Sequence, residues 1–323
     1  MMASSPTPTI LLTGANGVIG TLAQGALGAR GWSVRPYDLT YPAGTPGHGD
    51  IRDRAALDDA LAGCAGVIHL AAISRVLWGE NDPANCLDVN VGGTRTVLDA
   101  VEASPNRPWV LFMSSREVYG NPARLPVRED DPFAPVNTYG RSKAQGERLV
   151  MEARARGTQV GILRLASVYG TALDFADRVA PAFARRAVAG EPLRVTGAGQ
   201  VFDFVHLHDV VDGICRTADL LFQGRSDLPA INLSTAVPTS LGALAAIACR
   251  LAGSGAAIVE EGARPFDPEG FVGDYRRARE ILAWSPQITI ERGMAQLVAD
   301  FTALAQGAAS AAIEPQGRRG AGS

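Results

Sequence analysis

Residues 9–38 constrain this chain more than any other stretch. Thr9-Ile10-Leu11-Leu12-Thr13 is an apolar run of strand length, and it leads directly into Gly14-Ala15-Asn16-Gly17-Val18-Ile19-Gly20. A helical pattern then continues to about Arg30, followed by Ser33-Val34-Arg35-Pro36-Tyr37-Asp38, a second strand-like run whose Pro36 suits a sheet edge or a strand end. Strand, glycine turn, helix, strand is one βαβ unit, the building block of parallel sheets. The glycines permit a tight turn, let backbone approach a pyrophosphate, and let the helix pack closely on the strand. The helix N-terminus offers its unpaired N–H groups and positive dipole end to the phosphates. The spacing is GxxGxxG rather than the commoner GxGxxG. Asp38 lies about two dozen residues after Gly14, near where a carboxylate meets an adenosine ribose in such units. A carboxylate there repels a 2′-phosphate, so the pattern predicts NAD rather than NADP.

The alternation continues down the chain. A helix is expected over 54–62, with Asp53 as its N-cap. The third strand, from Gly66, ends in Leu70-Ala71-Ala72. Small side chains there let a flat ligand lie against the backbone, at the end of the sheet where open α/β folds bind ligands. One long helix is expected over 83–103, a fourth strand over 109–114, a helix over 138–156 capped by Gly157, and a fifth strand over 159–165. The expected fold is α/β: a doubly wound parallel Rossmann sheet with a smaller mixed C-terminal substrate lobe. Residues 9–172, with about 201–233, form the cofactor domain in this reading. Residues 173–200 and 234–304 form the lobe, and 1–8 and 305–323 are flexible tails. Within the later segments, helices are expected near 178–189, 208–221, 241–251, 276–282 and 290–304. Short strands are expected near 193–196, 202–205, 231–233 and 258–259.

Composition excludes several classes. The 323 residues are 46% hydrophobic and 20% charged, ordinary for a globular protein, and are enough for one large or two modest domains. A net charge of −3 without basic runs argues against a nucleic-acid surface. Apolar stretches are broken before the roughly 18 residues a membrane span needs, and residues 1–8 lack the layout of a signal peptide. Cys64, Cys86, Cys215 and Cys249 are far apart and read as reduced thiols of a cytoplasmic protein. His206 and His208 have no third ligand nearby, so no metal is expected.

The chemistry is concentrated at Tyr139-Gly140-Arg141-Ser142-Lys143. At helical spacing Tyr139 and Lys143 share a face. A cation beside a phenol favours the phenolate, which makes the pair a candidate general base for an alcohol.

Several motifs together resemble one family. They are TGANGVIG (13–20), GDIRD (49–53), HLAA (69–72), Asn90 before Gly-Gly-Thr, SSREVYG (114–120), YGRSK (139–143), RLASVYG (164–170), FDFVHLHDVV (202–211) and WSPQITIERGM (284–294). The set resembles the extended short-chain dehydrogenases/reductases, and within them the NAD-dependent epimerase/dehydratase branch acting on nucleotide sugars, over about residues 9–304. The resemblance implies an enzyme, carrying NAD, that passes through a 4-keto sugar. Gly14, Asn16, Gly17, Val18, Ile19 and Gly20 would hold the pyrophosphate region. Asp38 would take the ribose, and Asp50 and Ile51 would flank the adenine. Leu70, Ala71, Ala72, Asn90 and Ser114 would line the rest of the cofactor. Tyr139 would be the base. Lys143 would bind the nicotinamide ribose and lower the Tyr139 pKa, and Ser115 would hydrogen-bond the reacting oxygen.

Nucleotide-sugar 4-epimerisation is the leading expectation. Glu117 matches the Glu that serves dehydratases as the C5 base and also occurs in uronic-acid decarboxylases, which keeps those activities as alternatives. Arg116 replaces an acidic residue of one dehydratase group. Phe202 stands where an Arg often contacts the diphosphate, and Ala166 and Thr171 replace an Asn and a Pro. Arg264 remains as a diphosphate ligand. The diphosphate would therefore be held differently, or the substrate would lack one, which leaves a plain dehydrogenase/reductase as a third reading. His69 is expected to be packed. Arg75 and Trp78 either reach the sugar or pack between lobes. The family also implies a homodimer, built on the helices near 83–103 and 138–156.

Overall fold

The structure is a computed structural model that describes residues 7–313. In chain order its first part comprises β1 (Thr9–Thr13), α1 (Val18–Ala29), β2 (Ser33–Tyr37), α2 (Arg54–Leu61), β3 (Gly66–His69), α3 (Val76–Asn81), α4 (Pro83–Leu87), α5 (Gly93–Ala103), β4 (Trp109–Ser115), α6 (Thr138–Ala155) and β5 (Val160–Leu165). The second part comprises β6 (Ser167–Tyr169), α7 (Val179–Ala189), β7 (Leu193–Thr196), β8 (Val201–His206), α8 (Leu207–Phe222), β9 (Ala230–Leu233), β10 (Pro238–Ser240), α9 (Leu241–Ala252), β11 (Ile258–Glu261), β12 (Gly270–Phe271), α10 (Arg276–Leu282) and α11 (Ile290–Ile313).

Six strands form one parallel sheet in the order β2-β1-β3-β4-β5-β9. Its strands supply two cores by simple alternation. Ile10, Leu12, Ile68, Leu111 and Met113 face one layer of helices. Leu11, Val67, Val110 and Phe112 face the other. This is the period-2 pattern of strands covered on both sides. From β1 the chain steps outward to β2, then returns to place β3 on the other side of β1. The reversal opens a crevice at the C-terminal ends of β1 and β3. Pro36 lies in β2, the sheet's edge strand, where its missing N–H costs no internal ladder bond.

The expected single helix over 83–103 is interrupted. Between α4 and α5, Asp88–Gly92 form a π-helical turn, one residue wider than an α turn, and Asn90 within it is buried. Beyond β5, β8 does not join the large sheet. It pairs antiparallel with β10 and parallel with β6 and β12, and β7 pairs with β11. The fully buried Asp203 of β8 ties this part together. Its carboxylate accepts the N–H groups of Thr235, Ala236 and Gly273 and the Thr235 hydroxyl. The flexible tail expected from residue 305 is corrected in part. α11 continues to Ile313, because its Ala-rich end is a strong helix former. Residues 314–323, and residues 1–6 of the other expected tail, lie outside the described residues.

Candidate active site

The glycine turn lies at the crevice between β1 and β3. Gly14 has φ +71°, and a Cβ there would meet the Ala71 nitrogen at 2.6 Å, so only glycine brings this turn against the strand after β3. Gly20 faces back on the turn, and a Cβ there would lie 2.2 Å from the Gly14 carbonyl oxygen. At the end of β2, the Asp38 carboxylate accepts the Asn16 N–H at 3.0 Å and the Thr40 N–H at 2.8 Å. It is thereby fixed beside the turn and stays partly exposed. A pyrophosphate-binding backbone, a carboxylate at ribose distance along the chain, and small residues at a switch point together suit a dinucleotide. Changing Asp38 to Asn is expected to weaken NAD binding and narrow its advantage over NADP by about tenfold or more, since a hydrogen bond to a charged group is worth about 1.5–3 kcal/mol. Binding titrations with both dinucleotides check this.

Other expected cofactor residues have protein partners. Asp50 is paired with Arg52, which also reaches Asp88 at 2.7 Å, and Ile51 is buried. Asn90 holds the backbone of Ile73 from both sides, accepting its N–H at 2.8 Å and donating to its carbonyl at 3.0 Å, and also donates to Ser142 at 2.9 Å. The π turn therefore gives Asn90 the work of joining the segment after β3 to α6. His69 is buried between the hydroxyls of Thr13 and Thr94, and burial with the nearby Lys143 charge pushes it down to about 3. It is a packed, neutral histidine at ordinary pH.

The reactive side chains converge from β4, the 3-10 turn Arg116–Val118 that follows it, and the start of α6. Ser115 caps the turn, its hydroxyl oxygen accepting the Glu117 N–H at 3.2 Å, so its own proton remains available to donate. Asn137 is the N-cap of α6, accepting the Gly140 N–H at 2.7 Å. The same amide donates to Glu117 Oε2 at 2.8 Å, while Arg116 holds Glu117 Oε1 at 2.8 Å. Both oxygens of this buried carboxylate are engaged. The Arg116 guanidinium lies over the Phe202 ring, 4.5 Å from its centroid, so two of the residues that depart from the family pattern meet. Arg264 is exposed and paired with Asp267 at 2.7 Å.

Tyr139 lies one residue into α6. Burial pushes its phenol up to about 12, against the opposing pull of the Arg178 charge and a hydrogen bond with Ser115; Glu117 and Cys86 add to the rise. The cation favouring the phenolate is Arg178, just before α7, which sequence reasoning missed. Lys143 donates to the Met113 carbonyl at 2.8 Å and lies 5.9 Å from the Tyr139 ring centroid. Burial brings it down to about 8, with Cys86 and Glu147 pulling the other way. Below it, Glu147 and Arg164 form a buried ion pair with bonds of 2.9 and 2.8 Å, and Ser114 donates to Glu147 at 2.5 Å. Ser114 thus serves this pair. Arg75 is bound to Asp177 and Trp78 packs on Phe175, which places both in a contact with the segment before α7.

Among the described residues no group of three His, Cys, Asp or Glu can hold a metal, and no helix is long and apolar enough to cross a membrane.

The chain is similar to proteins of related chemistry. The UDP-glucose 4-epimerase of Rhizobium meliloti (strain 1021) is 32% identical over 310 residues, which span 86% of this chain and 92% of that protein. UDP-glucuronic acid decarboxylase 3 of Arabidopsis thaliana is 28% identical over 243 residues, 73% of this chain and 69% of that one. Among solved structures, MoeE5 in complex with UDP-glucuronic acid and NAD superposes with a TM-score of 0.83 at 29% identity, covering 92% of this chain and 99% of that one. Residues 10–228, more than half of the chain, match the NAD dependent epimerase/dehydratase family, and the chain is a member of that family and an NAD-dependent enzyme.

Proposed function

We propose that the protein interconverts the C4 epimers of a UDP-linked hexose through a transient 4-ketone. The observation that carries this reading is the state of Glu117. Dehydration needs a second base at C5, and here the candidate carboxylate is held on both oxygens by Arg116 and Asn137. Epimerisation needs only one acid–base group at C4. The similarity to UDP-glucose 4-epimerases supports the same reading.

Tyr139 takes the proton of the C4 hydroxyl and later returns it. Ser115 donates its hydroxyl proton to the same sugar oxygen and holds it in place. The Arg178 charge offsets part of the cost of a phenolate in this buried position. Lys143, fixed by the Met113 carbonyl, is placed to bind the nicotinamide ribose, with the Gly14 turn and Asp38 at the other end of the dinucleotide. NAD, when bound, supplies the acceptor and donor of the C4 hydride. The cation stacked on Phe202 is Arg116, so the diphosphate is met by a different set of donors from the one usual in the family. A homodimer in the cytoplasm is part of this reading and rests on the family resemblance alone.

The test is a panel of UDP-sugars given to the purified protein, with products followed by NMR. A C4 epimer is the expected result. A 4-keto-6-deoxy sugar would instead assign dehydration, in which Glu117 leaves Arg116 to take the C5 proton, and loss of carbon dioxide would assign a decarboxylase, in which the C5 enolate left by the departing carboxylate takes up a proton. Stoichiometric NADH would assign a plain dehydrogenase.

A further inference from the structure

Two adjacent residues after β3 meet two adjacent residues before α7. Arg75 donates to both oxygens of Asp177, at 2.5 and 2.6 Å. Beside it, Arg178 reaches Ser74 Oγ at 3.5 Å and Asp174 at 3.3 Å. The Arg75 guanidinium lies against two rings that pack edge to face, 5.7 Å from the Trp78 centroid and 5.3 Å from that of Phe175. Its side chain is only 11% exposed although Asp177 is 61% exposed. A planar cation packed against aromatic rings and bonded through its fork to both carboxylate oxygens has little freedom left.

What this contact joins bears on the reaction. The segment after β3 is anchored to α6 through Asn90, and α3 packs on α6 beside Tyr139. The segment 171–178 is held mainly from this side, by the bonds of Asp177 and Arg178 and the packing of Phe175, while Leu173 is 84% exposed. A 4-ketone has no covalent bond to the protein and has to turn over inside the site before it is reduced. We propose that Arg75 is a positioning residue: by holding Asp177 it closes residues 171–178 over the reacting sugar and sets the neighbouring Arg178 guanidinium beside the Tyr139 phenol. The function of the clamp in turnover rests on the 4-epimerase reading, whereas the closure itself does not. The bond from Arg75 also holds the Asp177 carboxyl below its usual range, as a structural ion pair requires.

The test compares Asp177→Asn with Asp177→Glu, which keeps the carboxylate, and with Arg75→Leu, using the full-length protein. Amide hydrogen exchange in peptides covering residues 171–178 is read first, without substrate. Asp177→Asn and Arg75→Leu are expected to speed it by about tenfold, as local opening becomes easier, while Asp177→Glu stays near the parent. With UDP-glucose, the same two variants should lose kcat by about 10- to 100-fold with KM little changed, the cost of a misplaced group. They should also release 4-ketose, leaving reduced nicotinamide on the enzyme. Unchanged exchange and turnover in Asp177→Asn would overturn the proposal, as would equal impairment in the Asn and Glu variants. If the parent epimerises no UDP-sugar, the functional reading fails on its own, and the exchange result still decides whether the clamp exists.

Discussion

Replacing Tyr139 with Phe is expected to lower kcat/KM for C4 interconversion by about 10²- to 10⁴-fold, the range for a positioned acid–base group. The phenyl ring keeps the shape of the pocket, so KM and NAD binding should change little, and the loss should fall on kcat. Two other titratable side chains of this region are already engaged. Glu117 is bonded on both oxygens, and His69 is locked between the hydroxyls of Thr13 and Thr94. Steady-state kinetics on the substrate identified by the panel provide the measurement. Turnover like that of the parent would place the base elsewhere and remove the mechanism proposed here.

The largest loss of stability is expected from Arg164→Met. Arg164 is 6% exposed, and besides its two bonds to Glu147 it donates to the Tyr119 hydroxyl at 2.7 Å and the Glu129 carbonyl at 2.8 Å. Removing it leaves the Glu147 carboxylate, 4% exposed, without its counter-charge. Breaking one side of a buried pair typically costs about 3–5 kcal/mol. Urea unfolding of the variant should show that loss. The companion double variant, Arg164→Met with Glu147→Leu, should recover much of it, because the stranded charge is then gone. A double variant no better than the single one would show that the other bonds of Arg164, to Tyr119 and Glu129, carry the stability.

The large sheet was legible because its signals are local. An apolar run, three glycines and a helical period follow one another within residues 9–30, and the apolar runs of β1, β3 and β4 need no knowledge of partners. The short strands were harder. β6 and β10 have three residues and β12 has two, so each is defined by its neighbour across the sheet rather than by its own pattern. The π turn at Asp88–Gly92 adds one residue to a helical rise without any composition signal. The end of α11 misled because alanine and glycine together suit both a helix and a loose tail, and there the alanines prevail.

Legibility at the site divides in the same way. Ser115, Tyr139 and Lys143 fall within short motifs. Their more distant neighbours do not: Arg178, just before α7, acts on Tyr139 from nearly forty residues away, and Phe202 of β8 meets Arg116. Spacing alone lets Glu117 either act as a base or pair with its sequence neighbour Arg116. In the structure Glu117 has a second bond from Asn137, because the same amide that caps α6 lies over the turn after β4.

The position of β9 has a consequence for the order in which the molecule can be made. It is the sixth strand of the large sheet, yet it is synthesised some sixty residues after β5, its only neighbour there. Until about residue 233 has left the ribosome, β5 presents an open row of backbone donors and acceptors beside an incomplete core. Unpaired edges of this kind recruit other chains. A fragment ending near residue 172 would keep the glycine turn, Tyr139 and Lys143, and would still be an aggregation hazard. Truncation near residue 172 would therefore sacrifice solubility while keeping every residue proposed to meet the dinucleotide.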